Sequence, residues 1–311
     1  MNVAGSLVDV VESASDRFGG LDGRFLVAAL VLQLGTLAFR SLAWRGVLVA
    51  AYPGRQVSVL SVAGAYAAGV ATNAFTPARG GELAKVLIAR TQIAGSTVPT
   101  LAASLAVVTV VDGIIGSALL GVLWATGVLP VLPALPGTIA LGLGALGLAA
   151  AAAGIVLAFR LRPEPMRRLA RRAAQGLRIV RQPGRYACTV LPFQVVAWAC
   201  RIGVVWLVLA AFGIRTSLAT AALVVVLNGA STLVPVPGGA GTQQVLATFA
   251  LQGAVSTAAA VSFSLGLQVG VTAVNVTVGV VAMMLLFRTA RPVGALRSAR
   301  ALVAQRVVPV E

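Results

Sequence analysis

The sequence predicts an all-α, polytopic integral membrane helical bundle with two re-entrant helix hairpins in an inverted repeat, and three observations predict it. Only 10% of the 311 residues are charged and 59% are hydrophobic, whereas an ordinary soluble domain carries about 25% charged residues. Uncharged runs are long: Thr216 to Phe287 holds no Asp, Glu, Lys or Arg, and Thr91 to Phe159 holds a single charge, Asp112. A bilayer span takes about 20 apolar residues, so these two runs contain several spans and leave no contiguous room for a fused soluble catalytic domain. Finally, two further apolar segments are each interrupted by Pro and Gly where a span should continue.

From the start, Asp9, Glu12, Asp16 and Asp22 stand against one Arg17, with Val3, Leu7, Val10, Ala14 and Phe18 at helical spacing. Residues 1–23 therefore read as an amphipathic segment, either an interfacial helix or a disordered tail. A cleaved signal peptide is disfavoured by the missing basic n-region. The first span is expected over about Arg24 to Ala50, with Arg40 and Arg45 suggesting that its second half leaves the hydrocarbon. Later spans are expected over about Thr97 to Thr126, Gly137 to Phe159, Tyr186 to Phe212 and Ser256 to Phe287.

The interrupted segments are Ser58 to Arg90, broken at Pro77-Ala78-Arg79-Gly80-Gly81, and Leu218 to Gln252, broken at Pro235-Val236-Pro237-Gly238-Gly239-Ala240-Gly241. Pro ends a helix and Gly permits a tight reversal, so each reads as a helix, a break and a shorter helix forming a re-entrant hairpin. Backbone that leaves helix at membrane depth must be buried in protein or line a wet cavity. The breaks are thus the prime candidates for a functional site.

Basic loops set the expected orientation. The connection from Arg160 to Arg185 has nine Arg and one Glu, and the tail after residue 289 carries Arg291, Arg297, Arg300 and Arg306 behind Arg288. Both are expected in the cytoplasm. The first hairpin then opens on the cytoplasmic side, the second on the outer side, and the N-terminus lies outside. The 160–185 loop either only sets topology or also attracts anionic lipid head groups, at roughly 1 kcal/mol per charge. Sliding the chain on itself until Pro77 falls on Pro235 also puts Gly80 and Gly81 on Gly238 and Gly239, and Gly95 on Gly253, with eight identities in 46 positions over Ser61 to Ala106. Three full spans separate the hairpins on this reading, and an odd number makes the copies, about 57–126 and 216–287, inverted. Inverted repeats whose broken helices meet near the midplane are a recurring transporter design.

The residues at the two breaks resemble those of a known family. Asn73-Ala-Phe-Thr-Pro77-Ala-Arg79-Gly-Gly81-Glu82-Leu-Ala-Lys85, then Asp112, then Pro235-Val-Pro237-Gly-Gly-Ala-Gly241 are similar, in that order, to the motifs of the lysylphosphatidylglycerol synthase transmembrane, flippase-like domain and its stand-alone relatives. The resemblance covers about Arg40 to Phe287. It implies a membrane domain that moves a charged phospholipid between leaflets and, without the soluble synthase domain of fused members, transport without synthesis. The chain also departs from the pattern. A family Glu-Arg pair before the Asp is replaced by Val108 and Thr109, a Glu after the Pro-Gly-Gly motif by Gln244, and an Arg in the last span by Gln268. An additional first span of many relatives is replaced by the acidic N-terminus.

The candidate substrate-binding residues are Asn73, Pro77, Arg79, Gly80, Gly81, Glu82, Lys85, Asp112, Arg201, Pro235, Pro237, Gly238, Gly239, Gly241 and Gln244. A charge at the bilayer centre costs at least about 2.5 to 3.5 kcal/mol, so it has a partner and a purpose. Arg79 suits a phosphate gripped by paired hydrogen bonds, while Glu82, three positions before Lys85, orients a basic neighbour. Glu82 capping a half-helix, with Arg79, Lys85 and Arg90 snorkelling to the interface, fits the same residues. Asp112 needs a partner from elsewhere, and Arg201, inside the Tyr186 to Phe212 span, is the expected one, as a structural ion pair or as part of a gate. Asn228 and Asn275 suit interhelical hydrogen bonds. Gly238, Gly239 and Gly241 either leave N–H groups free for an anion at a half-helix start or make a tight turn.

These expectations converge on a protein of the bacterial inner membrane, with a cytoplasmic C-terminus, that binds and translocates an anionic phospholipid or a polyprenyl-phosphate-linked glycan. Its partners are membrane lipids, not nucleic acid. A rival reading is a non-transporting scaffold that presents lipid-linked substrate to a glycosyltransferase or another cell-envelope enzyme. No cofactor or metal is expected. With no His and two Cys, Cys188 and Cys200, His-dependent acid/base chemistry, the usual zinc sites and a disulfide framework are disfavoured, as is an intramembrane enzyme.

Overall fold

The computed structural model describes residues 22–76, 80–128, 163–231 and 241–287. Expectations for the amphipathic N-terminus, the Pro77–Arg79 turn, the Gly137–Phe159 span, residues 232–240 of the second break and the basic tail fall outside the described residues. Those that are described form ten α-helices and no strand: α1 Gly23–Ala51, α2 Val59–Asn73, α3 Gly80–Gln92, α4 Val98–Ala125, α5 Pro163–Gly176, α6 Pro183–Thr189, α7 Leu191–Ala211, α8 Leu218–Ser231, α9 Thr242–Ala250 and α10 Thr257–Phe287.

Four of them, α1, α4, α7 and α10, are long and apolar enough to cross a membrane. Their lengths of 29, 28, 21 and 31 residues correspond to about 30 Å or more at 1.5 Å per residue, the thickness of the hydrocarbon core. α1 begins at Asp22, whose carboxylate accepts from the Arg24 N–H at 2.9 Å and so satisfies one of the helix's free donors. α1 runs unbroken through Arg40 and Arg45 to Ala51. The protein itself supplies their partners: Arg40 pairs with Asp112, and Arg45 Nε donates to the Val57 carbonyl at 2.9 Å.

The expected Tyr186 to Phe212 span is two helices. α6 ends at Thr189, and α7 starts at Leu191 with Pro192 in its first turn, where a missing N–H costs nothing. Between α4 and α6 the basic helix α5 is tied to two spans. Thr100 Oγ1 donates to the Arg172 carbonyl at 2.8 Å, and Gln175 Nε2 donates to the Ala51 carbonyl at 3.0 Å. Arg167, Arg168, Arg171 and Arg172 on α5 are exposed.

A helix stands on each side of both interrupted stretches: α2 and α3 flank residues 74–79, with a turn at 74–75, and α8 and α9 flank 232–241. Element spacing repeats along the chain. The interval from the start of α2 at Val59 to that of α8 at Leu218 equals the interval from the start of α4 at Val98 to that of α10 at Thr257. Left-handed glycines flank each helix pair, Gly54 (φ 79°) and Gly213 (φ 70°) before it and Gly95 (φ 67°) and Gly253 (φ 82°) after it. α1 and α7 precede the two pairs at similar positions and pack along each other.

The apolar core forms two clusters. One cluster centres on Trp44, Leu48, Val62, Tyr66 and Leu101, largely from α1, α2 and α4. The other centres on Leu209, Leu223, Val224, Leu251 and Phe263, largely from α7, α8 and α10.

Candidate functional site

The first break is held by backbone proximity and one amide. Gly81 lies against α2 so closely that an added Cβ would stand 2.1 Å from the Gly69 carbonyl oxygen, which only glycine permits. Asn73 Oδ1 accepts from the Gly81 N–H at 2.8 Å, capping α3 across the break and satisfying a donor that the half-helix leaves free. Gly80 begins α3 directly after the turn.

Glu82 and Lys85 form the pair that their helical spacing suggests, with Nζ to Oε1 at 2.7 Å. The pair is lopsided. The Lys85 side chain is 4% exposed and the Glu82 side chain 39%. Lys85 does not snorkel; its ammonium lies 4.2 Å from the centroid of the Tyr66 ring on α2, a cation–π contact that offsets part of its desolvation. Glu82 instead faces a groove of about 410 Å³ between α3 and α4, lined by Leu83, Val86, Val98, Ala102, Leu105, Ala106, Thr109 and Val110. Apart from the Glu82 carboxylate and the Thr109 hydroxyl, this wall is hydrocarbon. Arg90 lies in the last turn of α3.

A second ionic centre lies on the spans. Asp112, whose side chain is 13% exposed, is paired with Arg40 from α1, whose side chain is 24% exposed. It also accepts from Gln194 Nε2 at 3.2 Å and from Trp198 Nε1 at 3.3 Å, both on α7. The expected Asp112–Arg201 pair is therefore not formed. Gln194 and Trp198 are one helical turn apart and present their donors together to α4. Arg201, on the next turn of α7, stacks over the Trp198 ring at 5.1 Å. The indole thus stands between the two charges, its edge on Asp112 and its face under Arg201. Arg201, Trp198, Asp112 and Arg40 thus form one connected set drawn from α1, α4 and α7. Sequence reasoning misses Arg40 because its position in α1 suggests an exit from the membrane. The cue lies in the apolar residues on both sides of it.

Of the second Pro- and Gly-rich stretch Gly241 is described, with φ 82° at the head of α9. Its N–H donates to Gln244 Oε1 at 2.7 Å, and Gln244 Nε2 donates to Gln268 Oε1 on α10 at 2.6 Å. These are the two positions where the resemblance expects a Glu and an Arg. Here two neutral amides meet instead. Asn275 does join helices, accepting from Gln33 Nε2 on α1 at 2.9 Å. Pro77, Arg79, Pro235, Pro237, Gly238 and Gly239 lie outside the described residues. Among the described ones, no three His, Cys, Asp or Glu side chains come together as a metal site requires.

No curated protein and no solved structure matches the chain. The family model described as the lysylphosphatidylglycerol synthase TM region matches residues 11–279, a stretch that contains both helix–break–helix pairs and every residue of the two ionic centres. Together with the four apolar helices, that match makes this a multi-pass membrane protein, and the chain belongs to the family of the lysylphosphatidylglycerol synthase TM region.

Proposed function

We propose that this chain binds an anionic phospholipid or a polyprenyl-phosphate-linked glycan and carries it between the leaflets of a bacterial inner membrane, with its C-terminus in the cytoplasm. The observation that carries this reading is the charge at mid-span. Asp112 stands midway along α4, which runs from Val98 to Ala125, about 20 Å from either end at 1.5 Å per residue. Ion pairs at such depth are costly and mark substrate or ion pathways more often than they stabilise a fold. The repeated element spacing and the paired left-handed glycines support two re-entrant hairpins in inverted copies. The apolar groove beside Glu82 suits acyl chains, and Arg79 at the first break suits the phosphate where the lipid enters.

One observation favours the scaffold reading: in the second copy the amide pair Gln244–Gln268 is neutral where a transporter built on two charged halves would carry an ion pair. Reconstitution separates the two readings. Vesicles containing a fluorescent phosphatidylglycerol are treated with a membrane-impermeant quencher, and transfer exposes the inner-leaflet fraction. Exposure that depends on the protein supports transport. Full protection for every anionic lipid and polyprenyl phosphate tried refutes it and favours the scaffold.

A further inference from the structure

Arg201 is the cation left over once Arg40 has taken Asp112. Among the described residues its guanidinium meets no carboxylate and no hydrogen-bond acceptor; its contact is the face of Trp198, 5.1 Å away. It lies at the midpoint of α7, which runs from Leu191 to Ala211, about 15 Å from either end at 1.5 Å per residue. A guanidinium carries five N–H donors, and an aromatic face attracts the charge without accepting those donors in their plane. The edge of the guanidinium is therefore open. The residue keeps some accessible surface, so a ligand can reach it.

Charge counting gives the class of ligand. The two ionic centres hold Arg40, Lys85 and Arg201 against Asp112 and Glu82, with both carboxylates already paired by the first two cations. One positive charge remains in excess at mid-depth. A phosphodiester supplies one negative charge and two oxygens spaced to fit the guanidinium fork. Its hydrocarbon chains can lie along apolar surface such as that of the Glu82 groove. We infer that Arg201, stacked on Trp198 and deprived of a carboxylate by the Arg40–Asp112 pair, is the mid-depth grip for the phosphate of an anionic lipid. The inference rests on the lipid-binding reading above and assigns its central contact. A free phosphate ion offers the same chemistry, so the test separates the two sources.

The full chain, purified in a phosphate-free maltoside detergent, is titrated separately with a soluble short-chain phosphatidylglycerol and with inorganic phosphate, and binding is read from tryptophan fluorescence, to which Trp198 contributes. Arg201→Gln should weaken phosphatidylglycerol binding by about tenfold or more, and Arg201→Lys by a smaller factor, because a point charge remains where the fork is lost. Arg185→Gln, an exposed change outside the set, should bind as the wild type does. A melting readout adds a sign that a merely structural arginine would not give. Without lipid, Arg201→Gln should melt no lower than wild type, since it removes an uncompensated charge, yet it should lose the upward shift that lipid gives the wild type. If Arg201→Gln does not fold, Arg201→Lys carries the comparison. Inorganic phosphate binding with the same Arg201 dependence, and no gain from the lipid, would keep the anion site and name the free ion as its occupant. Equal lipid binding by wild type, Arg201→Gln and Arg201→Lys would overturn the inference. Leaflet transfer unaffected by Arg201→Gln would overturn it while leaving the transport reading intact. Arg201-dependent binding without any transfer would refute transport alone.

Discussion

Removing the Arg40 charge while keeping its stem, by Arg40→Met, should be among the most destabilising single changes in the chain. Asp112 would keep Gln194 Nε2 and Trp198 Nε1 at 3.2 and 3.3 Å, but its charge, 13% exposed, would lose its counter-ion. Breaking a buried pair from one side costs about 3 to 5 kcal/mol. The two remaining donors and the 24% exposure of the Arg40 side chain place this pair near the lower end, at about 3 kcal/mol. Asp112→Leu should cost a similar amount, because it strands Arg40 and leaves two donors unmet. The double variant removes both charges. What remains is chiefly the loss of the Gln194 and Trp198 hydrogen bonds, about 1 kcal/mol each, and Gln194 still donates to the Val108 carbonyl at 3.1 Å. The double variant should thus cost about 2 kcal/mol instead of about 6, a coupling of roughly 4 kcal/mol by the double-mutant cycle. The assay is reversible unfolding in mixed micelles across the four proteins of the cycle, with a second cycle on Asp112 and Arg201. Additivity in the first cycle within about 0.5 kcal/mol, or a larger coupling in the second, would refute the assignment of Arg40 as the partner.

The same geometry makes three more predictions. Gly81→Ala should drive α2 and α3 apart, since its Cβ would stand 2.1 Å from the Gly69 carbonyl; a loss of about 1 to 3 kcal/mol is expected for such overpacking, and a melting temperature equal to wild type would contradict the close approach. Gln244→Glu and Gln268→Arg should each destabilise alone and rescue each other when combined, with a coupling of about 0.5 to 3 kcal/mol, because the amides already meet at 2.6 Å; no rescue would mean that the two positions do not face each other. Arg79→Lys should lower leaflet transfer in reconstituted vesicles while Arg297→Lys in the tail should not, because lysine keeps the charge but loses the paired hydrogen bonds to a phosphate; undiminished transfer by folded Arg79→Lys protein would favour an arginine that only snorkels.

The features legible in the sequence are those that depend on neighbours in the chain. Helix α4, expected over Thr97 to Thr126 and found over Val98–Ala125, follows from an uninterrupted apolar run with a Thr cap and Pro99 in the first turn. The boundaries of α2 with α3 and of α8 with α9 fall at Pro- and Gly-rich stretches, because Pro and Gly act on the backbone where they stand. The Glu82–Lys85 pair follows from helical periodicity. Even the split of the Tyr186 to Phe212 segment is signalled locally, by Pro192.

Tertiary packing decided everything that depends on how one helix is rotated against another. Asp112 is distant along the chain from both Arg40 and Arg201, and nothing in either interval says which cation faces it. The packing of α1 against α7, with Trp198 turned between Asp112 and Arg201, made that choice. The same holds for Lys85, whose spacing fits snorkelling as well as burial until Tyr66 on α2 comes to lie beneath its ammonium. It holds too for Gln244 and Gln268, two separate neutral residues in the sequence that become one contact between α9 and α10. Local chemistry sets where a helix starts and stops, because the backbone responds to adjacent residues. Which buried charge is neutralised depends on side-chain directions from several helices, and those are set only when the helices pack.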